Sequence, residues 1–284
     1  MRRRLSSAVV LVSVAVLMVF GQPRLAGATP YDPALRPPNR QFPGAAQGPA
    51  AAVTGNLLLN PSFEMNGGAG SMIFADWTLF NSGLSPGSFF VQTGTLAPFA
   101  MGSGATVPPP PDGTFAAMSD QGGPGLRIIY QDVTLPPGTF SLSCQIYIAS
   151  EADYAVPDPE TLDPGVIPNQ HARIDIMDPS APIDDVGAGV LKNILFTMPG
   201  DPGDPVNPMM GYSRVSAAFA GGRTIRLRFA EVDNQFFFNF GVDGCVLATA
   251  GVGAPTLSAN ALRATAVALL AIGAIALQRR RRRV

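Results

Sequence analysis

From Phe140 to Ile148 every second residue is apolar (Phe140, Leu142, Cys144, Ile146, Ile148), and Ser141, Ser143, Gln145 and Tyr147 fill the alternate positions. A period of two places one set on each face of an extended chain, so this stretch is a strand with one buried face. Pro136-Pro137-Gly138 before it is a turn, because proline sets φ and glycine frees it. The same texture, short β-type runs parted by Gly, Pro and Asp, fills residues 55–249. The runs are 113–119, 126–135, 139–149, 172–177, 212–219, 224–232 and 236–248, with 88–93 less regular. No stretch between them combines helical periodicity with caps. About eight strands in about 195 residues read as an all-β fold, an antiparallel jelly-roll β-sandwich. Two acidic, proline-rich stretches, 151–169 and 199–208, read as long surface loops between strands.

Both ends differ from this region. Residues 1–28 read as a signal peptide: Arg2, Arg3 and Arg4, an apolar run over 8–20, then the small-x-small Ala26-Gly27-Ala28. The run is shorter than the roughly 20 residues a membrane span needs. Cleavage near Thr29 by signal peptidase, after passage through the export machinery, is therefore expected; an uncleaved anchor is the alternative. Residues 29–54 hold six prolines and read as an extended linker. At the other end, 261–284 combines an apolar run, Ala264 to Leu277, with Arg279 to Arg283. This reads as a short transmembrane helix with its arginines on the cytoplasmic side.

Of the 19 basic residues, four precede Thr29 and six lie in the tail, which leaves nine against all 20 acidic residues between them, 9 − 20 = −11. Such a surface repels phosphate backbones, so nucleic acid is not an expected partner. It suits divalent cations, or simply solubility outside the cell.

Several segments carry a family resemblance. Asn56-Leu57-Leu58-Leu59-Asn60-Pro61-Ser62-Phe63-Glu64 and Trp77 come first, then Asp112-Gly113-Thr114-Phe115-Ala116. Tyr130-Gln131-Asp132-Val133-Thr134-Leu135 and Pro137-Gly138-Thr139-Phe140 follow, and Phe240-Gly241-Val242-Asp243-Gly244-Cys245-Val246-Leu247 closes the series. In this order they resemble galactose-binding-like domains, the jelly-roll fold of many carbohydrate-binding modules. The resemblance implies a non-catalytic exported protein that binds an extracellular glycan or exopolysaccharide. A purely structural surface or matrix component is the alternative, and a secreted hydrolase a third reading. It also implies a structural Ca²⁺ held by Glu64 and Asp243, pinning the first and last strands; the other reading is two solvated carboxylates at strand ends. Cys144 faces the core by its alternation, and the resemblance turns Cys245 inward. In an oxidising compartment a disulfide between Cys144 and Cys245 is allowed, the alternative being two buried thiols in separate strands.

A second resemblance concerns 250–260 and the tail. Pro255-Thr256-Leu257-Ser258, followed by the apolar helix and the arginine cluster, resembles the PEP-CTERM-type sorting tails of Gram-negative bacteria, in the variant named for Ile-Pro-Thr-Leu (IPTL-CTERM). Ala254 stands where that variant has Ile, and no Glu-Trp follows Ser258. The resemblance implies an exosortase-like sorting enzyme as partner and a place in the cell envelope, surface or extracellular matrix. Membrane contact then runs through the C-terminal helix before processing; an ordinary tail anchor is the alternative.

Catalytic signatures are missing. His171 is the sole histidine, no serine sits in a nucleophile elbow, and there is no HExxH, paired CxxC, P-loop or dinucleotide fingerprint. The chain is not expected to be an enzyme. Asp175, Asp178, Asp184, Asp185, Asp201 and Asp204 lack EF-hand spacing and read as turn residues. A sugar platform needs exposed aromatics. Trp77 reads as core, whereas Phe236-Phe237-Phe238 must place rings on both faces of its strand, and Phe89-Phe90 raise the same question. Tyr147 and Tyr154 are further possible contacts, and the ligand-binding residues stay open.

Overall fold

The computed structural model describes residues 55–83 and 85–250. The expected signal peptide, linker, Pro255-Thr256-Leu257-Ser258 sorting motif and C-terminal transmembrane segment lie outside the described residues.

Ten strands form in chain order: β1 (Thr78–Ser82), β2 (Gly87–Gln92), β3 (Ala116–Gln121), β4 (Gly125–Thr134), β5 (Thr139–Ser150), β6 (His171–Met177), β7 (Val190–Phe196), β8 (Ser213–Ala220), β9 (Thr224–Asp233) and β10 (Phe238–Thr249). They make two five-stranded antiparallel sheets, ordered β1-β4-β9-β6-β7 and β2-β3-β10-β5-β8. No helix occurs among the described residues. The sheets face each other as a β-sandwich. Ile129, Ile174, Leu227 and Phe229 from the first sheet meet Phe89, Ala117, Ile146 and Phe240 from the second in one core. Each large apolar side chain so buried contributes roughly 1.5–3 kcal/mol before entropy is counted. Trp77 belongs to this core, and its indole Nε1 donates to the Asn60 carbonyl at 3.0 Å.

β5 keeps its expected alternation, with Phe140, Leu142, Cys144, Ile146 and Ile148 in the core. Its outer face is covered as well. Tyr147 packs with Tyr212, Met118, Val107 and Ala97. Tyr147 and Tyr154 are therefore buried and unavailable as ligand contacts, and so are Phe89 and Phe90.

β10 breaks its alternation at a β-bulge. Asp243 pairs with Gln145 and Val246 with Ser143, so Gly244 and Cys245 together oppose Cys144. Gly244 has φ +52°, a left-handed conformation that suits glycine. Before the bulge Phe238, Phe240 and Val242 point inward; after it Cys245 and Leu247 do. The extra residue explains why both parities of this strand are apolar.

The acidic loops are more than surface connections. Leu162, in the β5–β6 loop, is buried on the outer face of the first sheet against Leu126, Ile128, Ala230 and Val232. Asp201 and Asp204 are buried too, and the Asp204 carboxylate accepts the backbone N–H groups of Tyr154 (3.1 Å), Gly200 (3.2 Å) and Val206 (3.1 Å). Aspartates that cap backbone donors look the same in sequence as solvated ones.

Candidate functional site

Two connections cross between the sheets side by side at one end of the sandwich. The β3–β4 turn, Gly122-Gly123-Pro124, leads from the second sheet to the first, and the β9–β10 turn, Asn234 to Phe237, leads back. β3 neighbours β10 and β4 neighbours β9, so the two turns lie together. Between them is a cleft of about 180 Å³, lined by these turns and by Gln121 and Asp233 at the strand ends.

The β9–β10 turn is braced from behind. Gln170, fully buried, donates to the Phe236 carbonyl (3.0 Å) and accepts from the backbone N–H groups of Asn234 and Gln235 (both 3.2 Å). The Asn234 amide donates to the carbonyls of Pro164 and Val166, each at 2.8 Å. Held this way, Phe236 stands 50% exposed at the rim, its ring edge-to-face with Phe237 at 5.4 Å and 80°. Phe238, two residues on, is in the core. Of the three consecutive phenylalanines, Phe236 is the exposed one.

Behind the cleft the sandwich interior is polar. Arg127 on β4 is paired in register with Glu231 on β9, and Gly125 with Asp233. The Arg127 guanidinium donates to the carbonyls of Ser82 (2.9 Å), Leu126 (3.2 Å), Ser85 (3.1 Å) and Gly123 (3.4 Å). Gly87 and Gly125 leave it room, since a Cβ at either would overlap the guanidinium. Neither carboxylate oxygen of Glu231 has a hydrogen-bond partner, and burial, reinforced by Asp233, holds its carboxyl well above the usual range. Burial also pushes Asp233 up to about 7, against the lowering influence of Arg127.

Glu64 and Asp243 lie on either side of the 112–115 segment. The Glu64 carboxylate accepts the backbone N–H groups of Thr114 (2.9 Å) and Phe115 (2.8 Å). That of Asp243, fully buried, accepts those of Asp112 (2.9 Å) and Gly244 (2.7 Å). Asp112, in turn, accepts from the Ser62 hydroxyl at 2.8 Å. Burial pushes Asp243 up to about 8, and the negative charges of Asp112 and Glu64 add to the rise. No three acidic, histidine or cysteine side chains among the described residues converge closely enough to cage a metal on their own. Cys144 and Cys245 are joined as a disulfide between β5 and β10.

His171 is fully buried, its ring edge-on to Phe196 at 5.2 Å, and burial lowers it to about 3. It does not line the cleft. Asp175, beside it on the outer face of β6, accepts from Arg173 Nε and Arg228 Nη2, both at 2.6 Å, and from Asn193 at 2.8 Å. Arg173 is also paired with Glu160. This cluster pins the β5–β6 loop to the sheet. Sequence reasoning singled out the phenylalanine run but missed Gln121 and Asp233, because the two turns are more than a hundred residues apart in the chain.

No protein-family model matches the sequence, and no curated protein does. Among solved structures, the enzymatically active domain of tailspike protein 4 of bacteriophage CBA120 is similar over 68% of this chain, at 12% identity and a TM-score of 0.36. This chain spans 21% of that one. TmCBM61 in complex with β-1,4-galactotriose is similar over 69% of this chain and 99% of its own, at 11% identity and a TM-score of 0.38. The K3 cleaved adhesin domain of Lys-gingipain from Porphyromonas gingivalis W83 is similar over 68% and 99%, at 13% identity and a TM-score of 0.40. At these scores neither the ligand of one nor the activity of another transfers to this chain.

Proposed function

We propose that this chain is a non-catalytic exported surface protein whose jelly-roll sandwich binds a glycan in the cleft between the β3–β4 and β9–β10 turns. The observation that carries the reading is Phe236, a half-exposed ring fixed at the rim of a cleft beside the exposed Gln235 side chain. The apolar face of a pyranose packs on an aromatic ring, and its hydroxyl groups bond to amides that fix its orientation. Export by the N-terminal segment, sorting through Pro255-Thr256-Leu257-Ser258 and display on a Gram-negative surface complete the reading. A glycan array on the purified protein tests it. Retention of a defined set of sugars is expected, and no retained sugar would sink the binding role.

Calcium at Glu64 and Asp243 is part of the same proposal. The support is that Asp112 and Glu64 place negative charge near the buried Asp243 carboxyl. A bound Ca²⁺ would supply the positive charge, with carbonyl oxygens completing its coordination.

A second reading, a purely structural surface component, is favoured by exposed apolar side chains on the 65–73 hairpin. Met65, Met72 and Ile73 are 55%, 54% and 68% exposed. Clustered apolar surface of this kind suits contact with another protein.

A further inference from the structure

The cleft has one ionisable side chain in its lining, the Asp233 carboxyl, and no lysine or arginine. Arg127 is the nearest cation, but its two Nη atoms are engaged by four carbonyl oxygens of the β1–β2 and β3–β4 region. Proteins that hold a carboxylate, sulfate or phosphate group present free Arg or Lys donors to it. Here the buried Gln121 side chain and the Asp233 carboxyl form the floor, and the Gln235 amide donates to Asn234 rather than into the cleft. An ionised acid beneath a cleft repels an anion above it, and the repulsion is strong where water is partly excluded. The cleft is also small: about 180 Å³ lies below the roughly 300 Å³ at which pockets for drug-sized ligands begin, which limits it to about one sugar ring.

We propose, resting on the glycan reading above, that the cleft selects a single uncharged pyranose unit and turns away units bearing a carboxylate, with Asp233 as the discriminating side chain. The charged groups facing Asp233 fit this role. Arg127 on β4 acts to keep it ionised, and burial holds the carboxyl of Glu231, two residues earlier on β9, well above its usual range. Asp120 on β3 and Glu151 after β5 add negative charge at the same end of the sandwich. Since Asp233 titrates near 7, its repulsion is in force at pH 8 and weakens as pH falls to 6.

Saturation-transfer NMR titrations of the whole protein with paired methyl hexosides and methyl hexuronides of gluco, galacto and manno configuration test this. At pH 8 the hexoside of the bound configuration is expected to bind at least tenfold more tightly than its hexuronide. Asp233→Asn is expected to narrow that gap to under threefold, as is lowering the pH of the wild type to 6. Equal binding of hexoside and hexuronide by the wild type would overturn the selectivity. A gap that persists in Asp233→Asn would overturn the role of that residue. Binding of neither class, while the glycan array is positive, would overturn the single-unit site alone. A negative array as well would overturn the glycan reading beneath it.

Discussion

Burial lifts the carboxyl groups of Asp233 to about 7 and Asp243 to about 8, so the folded chain keeps two protons that the unfolded chain gives up above about pH 4. Folding stability therefore falls as pH rises from the unfolded value through the folded one. His171 acts in the opposite sense: lowered to about 3, it stays neutral when folded, and unfolding takes up a proton below about pH 6.5. The two effects oppose each other in acid, but above pH 6.5 the histidine is silent. The urea midpoint is expected to fall between pH 6.5 and 8, and Asp243→Asn to flatten that fall. An identical slope in the variant would contradict the assignment. Calcium needs the ionised carboxylate, so added Ca²⁺ is expected to raise the melting temperature more at pH 8 than at pH 5. A transition unmoved by Ca²⁺ or chelator at both pH values would remove the metal from the account.

At the scale of elements, β6 and β9 are joined on their outer face by Asp175, which holds two buried guanidinium groups, Arg173 and Arg228. Asp175→Ala leaves both cations buried without their carboxylate, and a loss of about 3–5 kcal/mol in urea unfolding is expected. A loss under about 1 kcal/mol would mean that water reaches the arginines. None of this cluster was legible in the sequence, where Asp175 looks like a turn residue. The strands themselves were more visible. The regular runs became β3 to β6 and β8 to β10, and the weaker 88–93 became β2. The two unexpected strands, β1 and β7, are the edges of the first sheet. Thr78-Leu79-Phe80-Asn81-Ser82 is short and half-polar, and Val190-Leu191-Lys192-Asn193-Ile194-Leu195-Phe196 meets β6 through two register shifts, so neither shows clean alternation. β10 concealed its inward face for a different reason, the bulge at Gly244. The cleft was half legible: one exposed ring was required among Phe236, Phe237 and Phe238, but its partners come from a turn remote in the chain and brought close only by the β3–β10 and β4–β9 pairings.

Over the whole molecule, the sandwich places its last strand at the centre of one sheet, tied by β3 and β5 on either side and by the opening segment through Leu57 and Cys245. The Cys144–Cys245 bond, 101 residues apart, closes about half of the domain into one loop. By chain-entropy reasoning its reduction is expected to cost about 4–5 kcal/mol. Alkylation mass spectrometry should find both thiols blocked before reduction and free after it; free thiols before reduction would contradict the bond. The turns that form the proposed glycan cleft lie at the other end of this frame. The most direct test is a calorimetric titration of the wild type and Phe236→Ala with the best glycan from the array, alongside their melting curves. The account predicts that the variant binds at least tenfold more weakly, about 1.4 kcal/mol, with its melting temperature unchanged because the ring is already exposed. Equal affinity in the two proteins would contradict it.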